Sequence, residues 1–455
     1  MQGKKIIIYG TGNLYKKYYN RFENCNIIAV VDSDDNKIDK CINGYVVRRP
    51  KIIQTIEYDL IVILIIDYFN VKQDLINQGV HADKIKTIDD YGFFRKYRQI
   101  DTLYFSRYKK EILLISHDMN YRGAPLMLYN MANVLRECGY SVDVACDSKE
   151  ALYDLFVDAG FSVIYFTDFN LGQEDIVKYM KNYKLIIVNT LALWYLIPKL
   201  KILNKKIMWW LHEEESAYSI LNVKLDGLKL YSNLKIYGVG TKAIEAFKKH
   251  TDNRVGIRYL QWGIENNSSG KIVDYKNEKL VFAVIGPVSY IKGQDFLIDT
   301  LNKYFTNVIS EIEVIIIGSI SDYDKKKYEQ LSYVKCVGEL THNQLMKMFD
   351  QIGIVLNVSR NDTFPVALIE GMMAKKVCVM SDAVGTKEYI ENYKNGIIFK
   401  SEDVQDLAKK IKWCMDNRNT LRSIALEGYN TYLQYFSKKV FKNNVNGIIT
   451  KLIKS

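Results

Sequence analysis

Three times along this 455-residue chain an apolar run rich in β-branched residues ends at glycine and gives way to a helical pattern: Lys5–Gly12, Glu111–Gly123 and Lys279–Gly293. A strand buried on both faces reads as a near-continuous apolar run, as in parallel sheets. Glycine at its end lets the chain turn sharply into a crossover helix. Further strands and helices alternate after each start, which is the pattern of α/β architecture with parallel sheets. At roughly 150 residues per domain, the length agrees with about three domains.

The expected organisation is therefore three Rossmann-like units in series. Residues 1–90 form the first, with four strands, and residues 111–270 and 271–436 form the second and third, with six strands each. Residues 91–110 join the first two units. They mix Arg95, Lys96, Arg98, Arg107, Lys109 and Lys110 with Phe93, Phe94, Tyr97, Tyr104, Phe105 and Tyr108. Two readings stand for this linker: an interdomain helix with a solvated basic face, or a patch touching anionic lipid headgroups at the membrane periphery. Residues 437–455 read as a closing helix with Ser437 as its N-cap.

Several classes are excluded. The longest apolar run, Leu60 to Ile66, is seven residues, against about 20 for a membrane span. The start Met1-Gln2-Gly3-Lys4-Lys5 runs straight into an apolar strand and does not read as a secretory leader. Seven scattered cysteines without C-x-x-C fit neither a disulfide framework nor a zinc ribbon, so a cytoplasmic setting is expected. The net charge of +11 reads as a Lys-rich solvated surface that also suits nucleotide phosphates or a lipid face. Nucleic acid is not an expected partner.

Gly10-Thr11-Gly12-Asn13-Leu14-Tyr15 is G-x-G-x-x-Y after a strand and before a helix. Glycines there let backbone N–H groups approach a pyrophosphate, and Asp32 at the next strand end suits a ribose diol. Gly10, Gly12 and Asp32 are thus candidate ligand contacts of the first unit, with a structural or docking role as the other reading. Over residues 1–90 the unit resembles nucleotide-sugar-binding domains found on some sugar O-acyltransferases, through Ile6–Gly12, Ala29–Asp32 and Asn43–Val47.

The densest polar segment is Ser359-Arg360-Asn361-Asp362-Thr363-Phe364-Pro365-Val366-Ala367-Leu368-Ile369-Glu370. Phe364 precedes proline and is pushed toward extended backbone. Pro365 suits a first helical position. Asp362 then lies in a loop and Glu370 inside the helix, about 8 Å further along by helical rise. Two acids at this spacing can hold two ends of one ligand, with phosphate at the helix start.

Acid-x7-acid followed by a small-residue helix and a strand resembles glycosyltransferase family 4. The resemblance covers residues 111–455 and implies the GT-B fold, a cleft between units two and three, and retaining chemistry. It implies that Glu370 holds the nucleotide ribose and that Asp362 faces the transferred sugar. The family usually has Glu in first place, and Asp is shorter by one methylene, roughly 1.5 Å. Gly286-Pro287-Val288-Ser289-Tyr290-Ile291-Lys292-Gly293 resembles the diphosphate loop, with Lys292 as its Lys and Pro287 where an Arg usually stands. Arg360 is the candidate replacement. Phe364 belongs to the donor-binding set, and Gly385 and Thr386 would offer backbone N–H groups to phosphate.

On the acceptor side, His117 through Pro125 resembles the family's first loop, with Gly123 giving the donor close approach. Trp209-Trp210-Leu211-His212-Glu213 resembles the strand end bearing the active-site His. His212 and Asp362 are therefore the catalytic candidates, and His117 a second histidine at the cleft border. Gly240-Thr241-Lys242-Ala243 matches a weaker family turn. No metal site and no cofactor are expected. The expected substrate is a UDP- or GDP-sugar and the acceptor a glycan or lipid-linked glycan. Two rival readings remain: a GT-B nucleotide-sugar epimerase and a non-catalytic nucleotide-sugar-binding subunit.

Overall fold

The computed structural model describes residues 3–19, 22, 24–65, 68–87, 98–101, 111–121, 123–166, 180–200, 203–225, 227–228, 231–276 and 279–454. The chain divides into two compact units, Met1–Arg98 and Gln99–Ser455.

The first unit holds a six-stranded sheet in the order Cys41–Ile42, Tyr45–Arg48, Asn26–Val31, Lys5–Tyr9, Leu60–Ile63, Ile85–Thr87. All pairings are parallel except the hairpin Cys41–Ile42/Tyr45–Arg48. Its turn, Asn43-Gly44, has φ of 51° and 82°, the left-handed pair that a tight hairpin requires. Ile7, Val31, Ile61, Ile63, Leu75 and Ile85 form the core.

The second unit holds two sheets. One has eight strands in the order Ile257–Tyr259, Leu234–Gly238, Lys206–Leu211, Leu185–Asn189, Ile112–Ile115, Val142–Cys146, Ser162–Phe166, Arg98–Asp101. The other has six: Val334–Gly338, Ile312–Ile317, Leu280–Ile285, Ile354–Asn357, Val377–Ser381, Ile397–Phe399. The central strands are fully buried, as the apolar runs demand. The strands that sequence reading missed are the hairpin, Ile257–Tyr259 and Arg98–Asp101. They are short and peripheral, so no apolar run marks them. Arg98–Asp101 also corrects the expected interdomain helix at that point; the remainder of the basic aromatic linker, 88–97 and 102–110, lies outside the described residues.

One apolar cluster runs through both halves of this unit. The ring of Trp262 meets that of Phe364 at 5.3 Å, Phe364 meets Phe436 at 5.6 Å, and Trp210 stacks on Phe441 at 6.0 Å. The closing helix, Lys438–Lys454, buries Phe441, Val445, Ile449 and Leu452. Their spacing makes one helical face, and each such side chain contributes about 2 kcal/mol of transfer free energy. The helix lies along Gly123–Glu137: Lys438 and Lys442 reach Glu137 at 2.6 and 3.0 Å, and the Tyr140 hydroxyl meets Thr450 at 3.0 Å. Ser437 stands at its N-cap position, its carbonyl accepting from the Phe441 N–H at 3.1 Å, while its hydroxyl donates back to the Leu433 carbonyl at 2.9 Å. No helix among the described residues is long and apolar enough to cross a membrane.

Candidate active site

The strand Lys206–Leu211 delivers His212, Glu213 and Glu214 to the cleft between the two sheets. Its end is fixed by two buried indoles, Trp209 donating to the Thr190 carbonyl and Trp210 to the Leu260 carbonyl, each at 2.8 Å. Glu213 accepts from the backbone N–H of Leu191 and of His212, both at 2.9 Å, and locks the turn. The His212 ring sits 4.6 Å from that of Trp210, and its Nε2 is buried with no hydrogen-bond partner among the described residues. Burial first, then the nearby His117, pushes its pKa down to about 3. His212 is therefore neutral at any working pH, with one ring nitrogen unsatisfied. Such a group costs about 1–3 kcal/mol while unpaired, and a ligand hydroxyl would relieve it.

His117 lies 3.1 Å from Asp118 and 3.3 Å from the Thr190 hydroxyl. Burial alone would lower its pKa, but Asp118, with Glu213 and Asp147, outweighs burial and raises it. Gly123 begins the helix Gly123–Glu137, and a Cβ there would meet nothing within 4 Å, so the loop leaves open space. The neighbouring Ala124 carbonyl accepts from Asn189 at 3.1 Å.

In the facing half, Asp362 accepts an ion-paired hydrogen bond from Lys292. Glu370 stands inside the helix Val366–Met373, 7% exposed, with Oε1 3.4 Å from His342 Nδ1. It lines a cavity of about 310 Å³ together with Tyr121, Asn130, Asn133, His342 and Val366. The lining does not include Asp362, Lys292 or His212. The halves meet at the loop bearing Asp362: Lys242 reaches Asn361, the Asp362 carbonyl at 3.4 Å and the Ala383 carbonyl at 2.7 Å.

The other donor-side candidates have close protein surroundings. The Phe364 ring is buried among Trp262, Tyr389 and Phe436. The Gly385 N–H is given to the Asp362 carbonyl at 3.1 Å instead of standing free for phosphate, and a Cβ at Gly385 would run into the Thr363 carbonyl oxygen. Thr386 is fully buried, its hydroxyl without a partner among the described residues. Arg360 is spent elsewhere: it forks onto Asp295 at 2.9 and 2.9 Å, meets Glu402 at 3.1 Å and covers the Tyr290 ring. Lys242, Asn361, Glu214 and His342 were not singled out by sequence. Lys242 occurs within a recognisable turn, but nothing local shows that its ammonium crosses to the other half.

In the first unit, Asp32 accepts from the Thr11 N–H at 2.7 Å, the Thr11 hydroxyl at 2.5 Å, the Asp34 N–H at 3.0 Å and Lys37 at 3.2 Å. Although burial opposes it, these partners hold its pKa below the usual carboxylate range. Its carboxylate is occupied by these four donors, so a ribose contact there would have to displace one of them. Gly10, at φ 99°, has the Leu64 carbonyl 3.0 Å from where a Cβ would stand, so it serves close packing; Gly12 faces open space. Asp32→Ala is expected to destabilise this unit by about 2–4 kcal/mol, since it removes a charged hub of four hydrogen bonds. Hydrogen exchange of residues 5–63 would report it; unchanged protection would return Asp32 to the ligand candidates. Among the described residues no cluster of three or more His, Cys, Asp or Glu is placed to hold a metal.

Two parallel sheets flanked by helices across a cleft, with the last helix crossing back onto the first half, define the GT-B class of glycosyltransferases. Residues 108–261 match the family described as Glycosyl-transferase family 4, and residues 267–431 that described as Glycosyl transferases group 1. The chain belongs to the family 4 glycosyltransferases, and residues 2–86 in front match the C2185-like, N-terminal family. Among solved structures it is similar to HepE of Anabaena, in complex with UDP and glucose (TM-score 0.64, 19% identity, 75% of this chain and 100% of that one). It is also similar to a glycosyltransferase of Rickettsia africae (TM-score 0.65, 15% identity, 76% and 100%) and to the lipopolysaccharide outer core galactosyltransferase WaaB (TM-score 0.58, 14% identity, 75% and 99%). At these identities the likeness shows the fold. No curated protein sequence matches the chain.

Proposed function

We propose that the chain is a retaining glycosyltransferase that moves a sugar from a UDP- or GDP-sugar to a glycan or lipid-linked acceptor in surface polysaccharide or glycoprotein synthesis. The observation that carries this reading is the joining of the two half-sites. Lys242, on the acceptor half that also carries the unsatisfied His212, donates to Asn361, the neighbour of Asp362. A donor laid across the cleft has its nucleoside in the cavity beside Glu370, which accepts from the ribose diol. Its diphosphate lies by Lys292 and the start of the helix at Val366. Its sugar lies between Asp362 and His212. UDP bound to HepE supports the nucleoside diphosphate, and WaaB supports a surface glycan.

No side chain stands as a covalent nucleophile in this reading, so displacement on one face follows. The bond from C1 to the phosphate oxygen breaks as the acceptor oxygen bonds C1. The acceptor proton passes to the departing phosphate oxygen. Lys292 and the helix start stabilise the charge that develops there. Neutral His212 donates or accepts one hydrogen bond at the sugar without adding charge. A peripheral position at the inner membrane face belongs to the same reading, since lipid-linked acceptors reside there.

A thermal-shift panel of UDP, GDP, CMP and their common sugars tests it. Ligand at about 100 times its dissociation constant stabilises by roughly 2.7 kcal/mol. One nucleoside diphosphate is expected to raise the melting temperature; no shift with either UDP or GDP would sink the reading.

A further inference from the structure

Lys242 belongs to the acceptor half, at the start of the helix Thr241–His250, yet its ammonium lies in the donor half's loop. It donates to Asn361 Oδ1, to the Ala383 carbonyl at 2.7 Å and to the Asp362 carbonyl at 3.4 Å. All three are uncharged oxygens. Among the described residues no carboxylate pairs with it directly; Glu214, Asp362 and Glu245 act on it from further away, and Lys387 opposes them. Burial is the main influence on the group and disfavours its charge. Lys292 is in the opposite situation, since its charge is matched by the Asp362 carboxylate. The two ammonium groups therefore grip the two ends of one residue, one at its carbonyl and one at its side chain. A half-buried cation satisfied only by carbonyl oxygens is held at a cost, and an anion entering the cleft would repay it.

The seam around Lys242 is made by contacts of the same kind. Thr241 donates to Glu388, the Tyr259 and Tyr389 hydroxyls meet, and Tyr389 donates to Gln261 at 2.7 Å. Lys242 thus reaches the loop at a seam where the two halves touch.

We propose that Lys242 is a second cation for the donor's diphosphate, supplied by the acceptor half, so that the phosphate site is complete only in the closed cleft. The proposal rests on the transferase reading above. On donor entry the ammonium exchanges a carbonyl partner for a phosphate oxygen, and with Lys292 it flanks the leaving group. The other role open to such a lysine, a clamp on loop 361–385, needs its hydrogen bonds but not its charge.

Isothermal titration with UDP and GDP, each against its monophosphate, separates these roles in wild type, Lys242→Gln and Lys242→Arg. Lys242→Gln keeps an amide donor and loses the charge. It is expected to weaken the diphosphate about tenfold or more and the monophosphate by less than threefold. Lys242→Arg is expected to restore most of the diphosphate affinity. An unchanged diphosphate-to-monophosphate ratio in Lys242→Gln, or a Lys242→Arg loss as large as that of Lys242→Gln, would overturn the proposal and leave the transferase reading standing. Wild type that binds neither UDP nor GDP overturns both. Melting curves accompany each titration; if Lys242→Gln does not fold, the Lys242→Arg result alone decides.

Discussion

Glu370→Ala is expected to weaken nucleoside diphosphate binding about 100-fold or more while leaving the fold intact. A carboxylate accepting both hydroxyls of a ribose makes two charge-assisted hydrogen bonds, each at about 1.5–3 kcal/mol. Even the lower figure for each gives about 3 kcal/mol, or roughly 150-fold. The fold should survive because Glu370 faces a cavity of about 310 Å³, with the His342 ring at 3.4 Å. Glu370→Gln keeps the shape and loses the charge, so it should fall between wild type and Glu370→Ala. Titration of the three proteins with the nucleotide chosen by the thermal panel checks this. An unchanged affinity in Glu370→Ala would remove the ribose from this cavity and move the nucleoside elsewhere.

His212→Ala is expected to lower kcat by about 100- to 1000-fold, the usual effect of removing one donor or acceptor aimed at a transition state. Donor affinity should stay within about threefold, because the nucleoside and diphosphate stations lie elsewhere. The physical basis is the unpaired, buried Nε2 beside Trp210. Its pKa near 3 also fixes the sign of the pH effect. Between pH 8 and pH 5 His212 takes up no proton in the folded protein, so any acid limb of the kcat profile in that range belongs to another group. Full activity in His212→Ala, measured as sugar transfer in a single turnover, would take His212 out of the mechanism.

The two variants also separate the rival readings. A non-catalytic subunit would bind donor through Glu370 and show no turnover for His212→Ala to abolish. An epimerase would release free sugar products in the absence of any acceptor.

The sequence alone determined the apolar central strands of the sheets, the glycine turns that close their first strands, and the positions of Asp362 on a loop and Glu370 inside a helix. These follow from local rules: an apolar run must be buried, a proline restricts the residue before it, and helical rise fixes the spacing of two acids on one segment. Tertiary structure decided which polar groups face the cleft. Arg360 and Lys242 are both basic residues beside glycine-bearing loops, yet Arg360 is held away by Asp295 and Glu402 while Lys242 crosses the seam to Asp362. Asp32 and Phe364 were legible as residues of a site, but their side chains are committed to a loop and to an aromatic core. The reason is the same in each case. A backbone path is set by neighbours in sequence, whereas the direction of a long polar side chain is set by partners from distant segments: Asp295 lies 65 residues from Arg360 and Asp362 lies 120 from Lys242. No local pattern encodes those pairings.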